Sequence, residues 1–527
     1  MTGLVVLGVA LRVWAYAAPT SFWLDEILLA RSIVELPAQR LLTQPLQLDQ
    51  VAPRGFLLVE KIAVIGLGHS ELALRLFPFL CGVAGVFLFR RLAERLLDGL
   101  GASLALALFA VGIPFIWHGA EVKQYELDAT ITILLMLLAL DLEEHGASTT
   151  RLVLVGLAGF ALSWFSQPSA LVMGGLGVAL AVQWLTSHDR STGRALLITM
   201  PMWALGCVVA VVAGRQSMTP STRAFMHDFW QQGFLPLPLK SLADLRWFWD
   251  QAMSVFTDPT LLRYRWPGIY LVVAALGLVA SWRARRSVAL LLLGPIALAL
   301  AAAVAHQYPF RGRLMFYLIP NLLLAIAAGA EWTRRLANRL HPNLGGVLVL
   351  GLLAPPVAAL AEPPPPYDIE HHLTLLGYLQ AHRQPGDVVY VFPLSRIGTL
   401  FYGPRFGLRP DDWITGVCDR DDTRAYIRDV DRYRGVRKLW VLSSGVRPFR
   451  VARGAVRSYL STIGVKRDSL ELPSLTMGSA AIELYDLSDS SRLRTASAEA
   501  FPVAAMPTDP RPGCRPWVRP SPLDRSF

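Results

Sequence analysis

The sequence predicts an α-helical polytopic membrane protein of about eleven transmembrane helices, with a small extracytoplasmic α/β domain toward its C-terminal end. Three observations predict it. Long stretches hold no charged residue. Arginines recur between alternate apolar stretches. After residue 361 the pattern becomes short strand-like runs alternating with helix-like ones.

Of the 527 residues, 53% are hydrophobic and 17% are charged, and the mean hydropathy is +0.42. Soluble domains carry about 25% charged residues. No charge occurs in 101–117, 152–167, 195–214, 287–305, 314–330 or 343–361. A helix crosses the hydrocarbon with about 20 apolar residues, and about 17 suffice. On that criterion the spans are 1–18, 72–92, 101–117, 127–142, 152–167, 169–187, 195–214, 267–282, 287–305, 314–330 and 343–361. Residues 152–167 and 169–187 are separated only by a turn at Pro168. The first segment lacks a basic n-region and many further spans follow, so it reads as a span and not as a signal peptide.

Arginine placement sets the orientation. Arg90, Arg91 and Arg95 follow the second span, and Arg190 and Arg194 follow the sixth. Arg283, Arg285 and Arg286 follow the eighth, and Arg334, Arg335 and Arg339 follow the tenth. The positive-inside rule makes those loops cytoplasmic. The protein then belongs in the plasma (inner) membrane, with Asp25 and the C-terminal region outside. Asp141, Glu143 and Glu144 lie in one loop of the inner set, but acids count little in that rule. The net charge of +11 therefore reflects topology. No basic run interleaved with aromatics supports nucleic-acid binding.

Two external loops, 19–71 and 215–266, exceed ordinary connectors. Within the first, 55–69 is apolar but short and carries Glu60 and Lys61, which suggests an interfacial helix. The second holds Trp230, Trp247, Trp249 and Trp266 and is expected to rest on the outer leaflet.

The organisation is thus a transmembrane domain over 1–361, an external α/β domain over 362–487 and a disordered tail over 488–527. Pro363–Pro366 form a stiff spacer. Helices are expected at 368–383, 421–433 and 449–463, and strands at 387–392, 438–442 and 480–487. No glycine-rich phosphate loop occurs. The tail is rich in Ser, Arg and Pro. Cys81 and Cys207 fall inside spans as small apolar residues, and Cys418 could pair with Cys514. No cysteine–histidine spacing suggests zinc.

Four polar clusters fall on the external face. Asp25 and Glu26 follow Ser21-Phe22-Trp23-Leu24, with the aromatics at headgroup depth. Asp49-Gln50-Val51-Ala52-Pro53-Arg54 precede the interfacial helix. Glu121-Val122-Lys123-Gln124-Tyr125-Glu126-Leu127-Asp128 lie between the third and fourth spans. His306-Gln307-Tyr308-Pro309-Phe310-Arg311-Gly312-Arg313 lie between the ninth and tenth. That last loop has two arginines and no acid, and a phosphate suits the guanidinium fork.

Each cluster also has a bland reading. An Asp-Glu pair caps a helix. Arg311 and Arg313 attract lipid headgroups. Glu121 and Lys123 form local ion pairs of little value. His118 and His306 are interfacial hydrogen-bonders. The placement of all four clusters on one face favours chemistry.

Trp-Leu-Asp-Glu at 23–26, Asp-Gln-Val-Ala-Pro-Arg-Gly at 49–55, Ser-Glu-Leu-Ala-Leu-Arg-Leu at 70–76, Ala-Glu-Val-Lys-Gln-Tyr-Glu-Leu-Asp at 120–128 and Tyr-Pro-Phe-Arg-Gly-Arg-Leu-Met-Phe-Tyr-Leu-Ile-Pro at 308–320 follow one another in an order that resembles the GT-C glycosyltransferases. The branch it looks like is that of the protein O-mannosyltransferases and aminoarabinose transferases. The likeness runs over about residues 1–330; each motif is loose, and their order and spacing carry it. The resemblance implies a membrane glycosyltransferase. It would move a sugar, with inversion, from a polyprenyl-phosphate donor to a glycan, lipid or protein acceptor on the outer face. Asp25 would be the general base, worth about 10²–10⁴-fold, and Glu26 would orient the acceptor. Arg311, Arg313, Lys123 and Lys61 would hold the donor phosphate. Glu121, Glu126, Asp128 and Asp49 are candidates for substrate contacts. A divalent ion could join Asp25 with Glu121, Glu126 and Asp128. Many relatives have His-Pro-Pro in the first loop where this chain has Ala52-Pro53-Arg54, so details of donor and acceptor binding differ.

Two other classes compete. A lipid-linked-sugar transporter or flippase would place charges at mid-membrane on broken helices. A non-catalytic scaffold would use the external domain to bind polymer. The orientation itself is testable: a reporter active only in the cytoplasm, fused after residue 490, should be silent. A strong signal there would invert the topology and strand Asp25 on the wrong side.

Overall fold

A computed structural model describes residues 1–144, 148–258, 260–361, 367–419, 421–444, 449–474 and 478–505. The chain forms two compact units. One gathers Met1–Ala18 with Ile33–Pro366, and the other gathers Pro19–Ser32 with Tyr367–Phe527. Residues 19–32, read from the sequence as part of the transmembrane domain, thus fold with the C-terminal unit. The proline spacer lies outside the described residues.

The first unit is helical, and each of the eleven apolar stretches contains a helix: Thr2–Ala17, Glu71–Leu96, Gly101–Val111, Tyr125–Glu144, Thr149–Leu162, Ser169–Ser187, Arg190–Gln216, Pro267–Ala284, Arg286–Val304, Ile319–Ala337 and Leu344–Ala359. Among the described residues six helical stretches are long and apolar enough to cross a membrane: Glu71–Leu96, Ser169–Ser187, Arg190–Gln216, Pro267–Ala284, Arg286–Val304 and Gly312–Ala337. Thr2–Ala17, Gly101–Val111, Thr149–Leu162 and Leu344–Ala359 are apolar but shorter. Tyr125–Glu144 carries acids in its first turn. Among the described residues, six of the eleven expected crossings thus meet that length and composition. The stretch 101–117 shows one cause of a shorter helix. Its first helix stops at Val111, and a new one runs Ile113–His118 with Pro114 in its first turn. A proline there is tolerated only at a helix start.

Burial sorts the apolar helices. Gly101–Val111 and the stretch 319–331 are buried nearly throughout. Arg190–Gln216 exposes Leu197, Leu205, Val208 and Val211, and Thr149–Leu162 exposes Leu154 and Leu157. Apolar faces of that kind suit a lipid solvent. Side-chain caps fix several starts. Ser70 Oγ accepts from Ala73 N–H at 3.2 Å, and Asp189 Oδ2 accepts from Thr192 N–H at 2.9 Å.

Glycines let helices touch backbone to backbone. A Cβ on Gly277 would lie 1.8 Å from the Ala325 carbonyl oxygen, and one on Gly329 would lie 1.9 Å from that of Val273. Small residues at such crossings replace the hydrophobic drive that lipid removes.

The two long loops are structured. Residues 33–70 contain the helices Ala38–Thr43 and Arg54–Leu67. The latter exposes Ile62, Ile65 and Leu67 and buries Phe56, Leu57 and Glu60, as an interfacial helix does. Residues 215–266 contain Pro220–Phe229 and Arg246–Thr257. Trp249 and Trp266 are exposed there, but Trp247 is buried and donates Nε1–H to the Gln232 carbonyl at 3.1 Å. Trp247 is therefore a packing residue and not an outer-leaflet anchor.

The second unit centres on a five-stranded sheet: β1 Val388–Val391, β2 Ile414–Thr415, β3 Leu439–Ser443, β4 Val465–Ser474 and β5 Gly478–Asp486, in the order β2-β1-β3-β5-β4. β2, β1 and β3 run parallel, while β5 is antiparallel to both β3 and β4. The helices His372–His382, Ser395–Tyr402, Thr423–Asp431 and Arg450–Ile463 complete it. Tyr390, Phe392, Val441, Tyr426, Val456 and Tyr459 share its core. β4 escaped the sequence reading because it is an edge strand with alternating exposure, interrupted by Lys466, Arg467, Asp468 and Glu471. Charge on an edge discourages further pairing.

Residues 488–505 depart from the expected disorder. They hold the short helix Ser490–Leu493 and dock on the domain. Arg434 donates to the Ala496 carbonyl at 2.7 Å, Arg428 pairs with Glu499 at 2.8 Å, and Thr423 Oγ1 donates to the Ala504 carbonyl at 2.9 Å. Fixed carbonyls and arginines give this polar stretch partners that its composition does not reveal. Residues 506–527, and with them Cys514 as a partner for Cys418, lie outside the described residues.

The helix crossing yields a test. Gly277→Ala should cost about 1–3 kcal/mol by overpacking. Gly351→Ala meets nothing within 4 Å and should be neutral or stabilising by up to about 1 kcal/mol. Equal melting shifts for the two in detergent would refute the backbone contact.

Candidate active site

The acid pair opens a helix in the C-terminal unit. Leu24–Glu35 begins one residue before Asp25, and acids in a first turn suit the positive end of the helix dipole. Glu26 Oε2 accepts from Trp23 N–H at 3.3 Å, one half of a capping box. The stretch before it is tied to the C-terminal unit by three further donors. Ser21 N–H reaches Asp368 Oδ2 at 3.2 Å, Phe22 N–H reaches the Tyr402 hydroxyl at 2.8 Å, and Leu24 N–H reaches Glu370 Oε2 at 3.0 Å. Phe22 is wholly buried, with its ring 5.9 Å from that of Phe401. Phe22 is thus a core residue of this unit and not a headgroup anchor.

The helical unit holds a second polar cluster. Residues 119–124 connect Ile113–His118 to Tyr125–Glu144 in a buried turn, with Lys123 N–H donating to the Glu121 carbonyl at 2.7 Å. His118 Nδ1 lies 2.7 Å from Glu121 Oε2, and its Nε2 lies 3.1 Å from the Thr260 carbonyl oxygen. Both ring nitrogens thus face oxygens, which fixes the plane of the imidazole. Lys123 Nζ donates to Gln50 Oε1 at 2.8 Å.

Arg313 joins this cluster from far along the chain. Its guanidinium carbon lies 5.4 Å from the Tyr125 ring centroid and 6.0 Å from that of Trp230. Stacking of this kind holds a guanidinium without consuming its donors. Gly312 makes the turn between the arginines with φ +53°, a left-handed value that favours glycine. A Cβ there would sit 3.4 Å from Asp258 Oδ2 and 3.6 Å from the Trp230 ring. Asp258 in turn accepts from Thr260 N–H at 2.8 Å and Oγ1–H at 2.6 Å. Arg311 packs beside Gly233, whose carbonyl accepts from Phe310 N–H at 2.8 Å.

The structure therefore gathers Glu121, Lys123 and Arg313 with the unanticipated His118 pairing, Trp230, Asp258 and Thr260. It gives other expected site residues different tasks. Lys61 Nζ donates to the Ile33 and Val34 carbonyls, each at 2.9 Å, at the end of Leu24–Glu35. That is a cap on the helix's negative end. Burial lowers the Lys61 ammonium and holds the Glu60 carboxyl well above its ordinary range. Glu126 is buried in the bundle beside Arg12. A Cβ on Gly82 would sit 3.2 Å from Glu126 Oε1 and 3.3 Å from Arg12 Nε. Asp128 is buried close to Tyr308 and Tyr317. Asp49 Oδ1 accepts from Thr222 Oγ1–H at 3.1 Å. Among the described residues no three His, Cys, Asp or Glu side chains form a group able to hold a metal ion. Glu121 and Glu126 diverge because each already has a buried basic neighbour. The sequence reading places Trp230 only on the outer leaflet and does not single out Asp258, because a single tryptophan and a single acid in a long loop carry no spacing signal.

No family model matches the chain, and no curated protein matches it. Among solved structures it is similar to the archaeal oligosaccharyltransferase AglB from Archaeoglobus fulgidus in complex with an inhibitory peptide and a dolichol-phosphate. That match has a TM-score of 0.45 and 13% identity, covering 93% of this chain and 74% of that one. It is also similar to ArnT from Cupriavidus metallidurans bound to undecaprenyl phosphate, with a TM-score of 0.37 and 14% identity, covering 93% of this chain and 99% of that one. At TM-scores below 0.5 these likenesses carry no argument about activity, and the functional reading rests on the chain's own residues.

Proposed function

We propose that the chain is a membrane glycosyltransferase that moves a hexosyl or pentosyl group from a polyprenyl-phosphate donor to an acceptor hydroxyl on a glycan, lipid or protein. The observation that supports it best is the stacking of Arg313 on Tyr125, two residues from Lys123, in a unit whose outer helices expose apolar faces. Two cations from distant parts of the chain suit a phosphate, and apolar helix faces suit a donor with a polyprenyl tail.

In this reading Asp25 takes the proton of the acceptor hydroxyl. The acceptor oxygen attacks the anomeric carbon from the face opposite the phosphate, so configuration inverts. The bond from that carbon to the phosphate oxygen breaks, and its electron pair leaves on the phosphate. Arg313, Lys123 and Arg311 stabilise the added negative charge. Glu26, which caps Trp23 N–H, keeps the first turn in place. The reaction is assigned to the extracytoplasmic face on the arginine distribution.

Asp25→Asn preserves shape but removes basicity. It should lower turnover by about 10²-fold or more with little change in donor binding. Wild-type turnover in the folded variant would remove the base assignment and favour a transporter or scaffold.

Arg313→Ala should slow single-turnover transfer at saturating donor by about 2–4 kcal/mol of barrier. Arg313→Lys should recover only part, because an ammonium lacks the bidentate fork. An unchanged rate in an Arg311→Ala, Arg313→Ala double variant would leave headgroup attraction as the role of both.

A further inference from the structure

We propose, resting on the assignment of Asp25 as general base, that Glu370 is a positioning residue for the Asp25-Glu26 turn, with His372 behind it and Tyr402 beside it. The α/β unit is then part of the catalytic apparatus and not a separate binding module.

The geometry is a chain of buried contacts. Glu370 Oε2 accepts from Leu24 N–H at 3.0 Å and from His372 Nε2–H at 2.8 Å. Glu370 and His372 are each 1% exposed. Gly398 makes room for the imidazole, since a Cβ there would fall 2.0 Å from its Cε1. The His372 ring stacks 5.9 Å from that of Tyr402, whose hydroxyl accepts Phe22 N–H. The His372 N–H donates to Ser21 Oγ at 3.1 Å, and that hydroxyl donates to Asp368 Oδ1 at 2.6 Å. The N–H groups of Ser21, Phe22 and Leu24 are thus held by acceptors from 368–402, while that of Trp23 stays with Glu26.

A helix start does not need so much. A Ser or Asn cap satisfies the first donors without burying a carboxylate. Here Glu370 Oε1 is buried with no hydrogen-bond partner among the described residues, and an unsatisfied buried oxygen is destabilising. A costly acceptor aimed at Leu24, one residue from Asp25, is what fixing a reacting group requires. Displacing a catalytic group by about 1 Å can cost 10²-fold in rate.

The test uses full-length protein in lipid nanodiscs with a polyprenyl-phosphate sugar and an acceptor, and reads both kinetics and amide hydrogen exchange. Glu370→Ala should lower kcat by about tenfold or more while the donor KM stays within about twofold. Glu370→Gln should keep most of kcat, because its amide oxygen still accepts the Leu24 N–H. Tyr402→Phe keeps the ring but loses the Phe22 acceptor, and should lower kcat without loosening the sheet. Exchange over residues 20–27 should quicken by about tenfold in Glu370→Ala, with β3 unchanged. Wild-type kcat in both Glu370→Ala and Tyr402→Phe, or unchanged exchange over 20–27, would overturn the proposal. If wild-type protein transfers no sugar from any such donor, the general-base reading falls on its own, and the exchange data alone then decide whether Glu370 holds the turn.

Discussion

Arg12 sits on the first helix, buried, with its guanidinium donating to the Gly8 carbonyl at 3.0 Å and the Glu126 carboxylate as its electrostatic partner. A charge removed from water in an apolar bundle persists only where other groups replace the water. The same constraint places the rest of the polar residues of the helical unit. Glu121 meets His118, Lys123 meets Gln50, and Lys61 meets two carbonyls. The Lys123 and Lys61 pairings join stretches distant in sequence, so these polar groups help fix register where apolar packing alone is permissive.

Close helix contacts make that economy possible. Gly175 and Gly294 allow Ser169–Ser187 and Arg286–Val304 to approach as Gly277 and Gly329 do for their own pair; an added Cβ would fall 2.4 Å and 2.3 Å from opposing backbone. The Arg313 guanidinium stacks on Tyr125 and Trp230, a contact in which an aromatic face favours a cation.

The C-terminal unit applies the same physics to a different end. Its core is an ordinary mixed sheet with aromatic packing, but the buried Glu370, His372 and Tyr402 and the half-buried Asp368 converge on a segment from residues 19–32. A short stretch following the first helix is thereby shaped by residues more than 340 positions later. Local propensity would leave 19–24 irregular. The long-range acceptors give it one conformation.

By itself, the sequence determined the helical character of the eleven apolar stretches, the three strands β1, β3 and β5, and the interfacial helix near 54–67. Those features depend on composition and period within a window of neighbours, which a chain displays without folding. The sequence also marked Asp25, Lys123 and Arg313, because acids and arginines beside apolar runs are costly and therefore conspicuous. Only the tertiary structure decided which groups the charges meet. It turned Lys61 into a helix cap and set Glu126 beside Arg12. It recruited Trp230 and Asp258 to the arginine turn, and bound the Asp25 segment to Glu370. Pairing between distant residues depends on distances that no local pattern encodes, so the partner of a buried charge becomes visible only once the chain is folded.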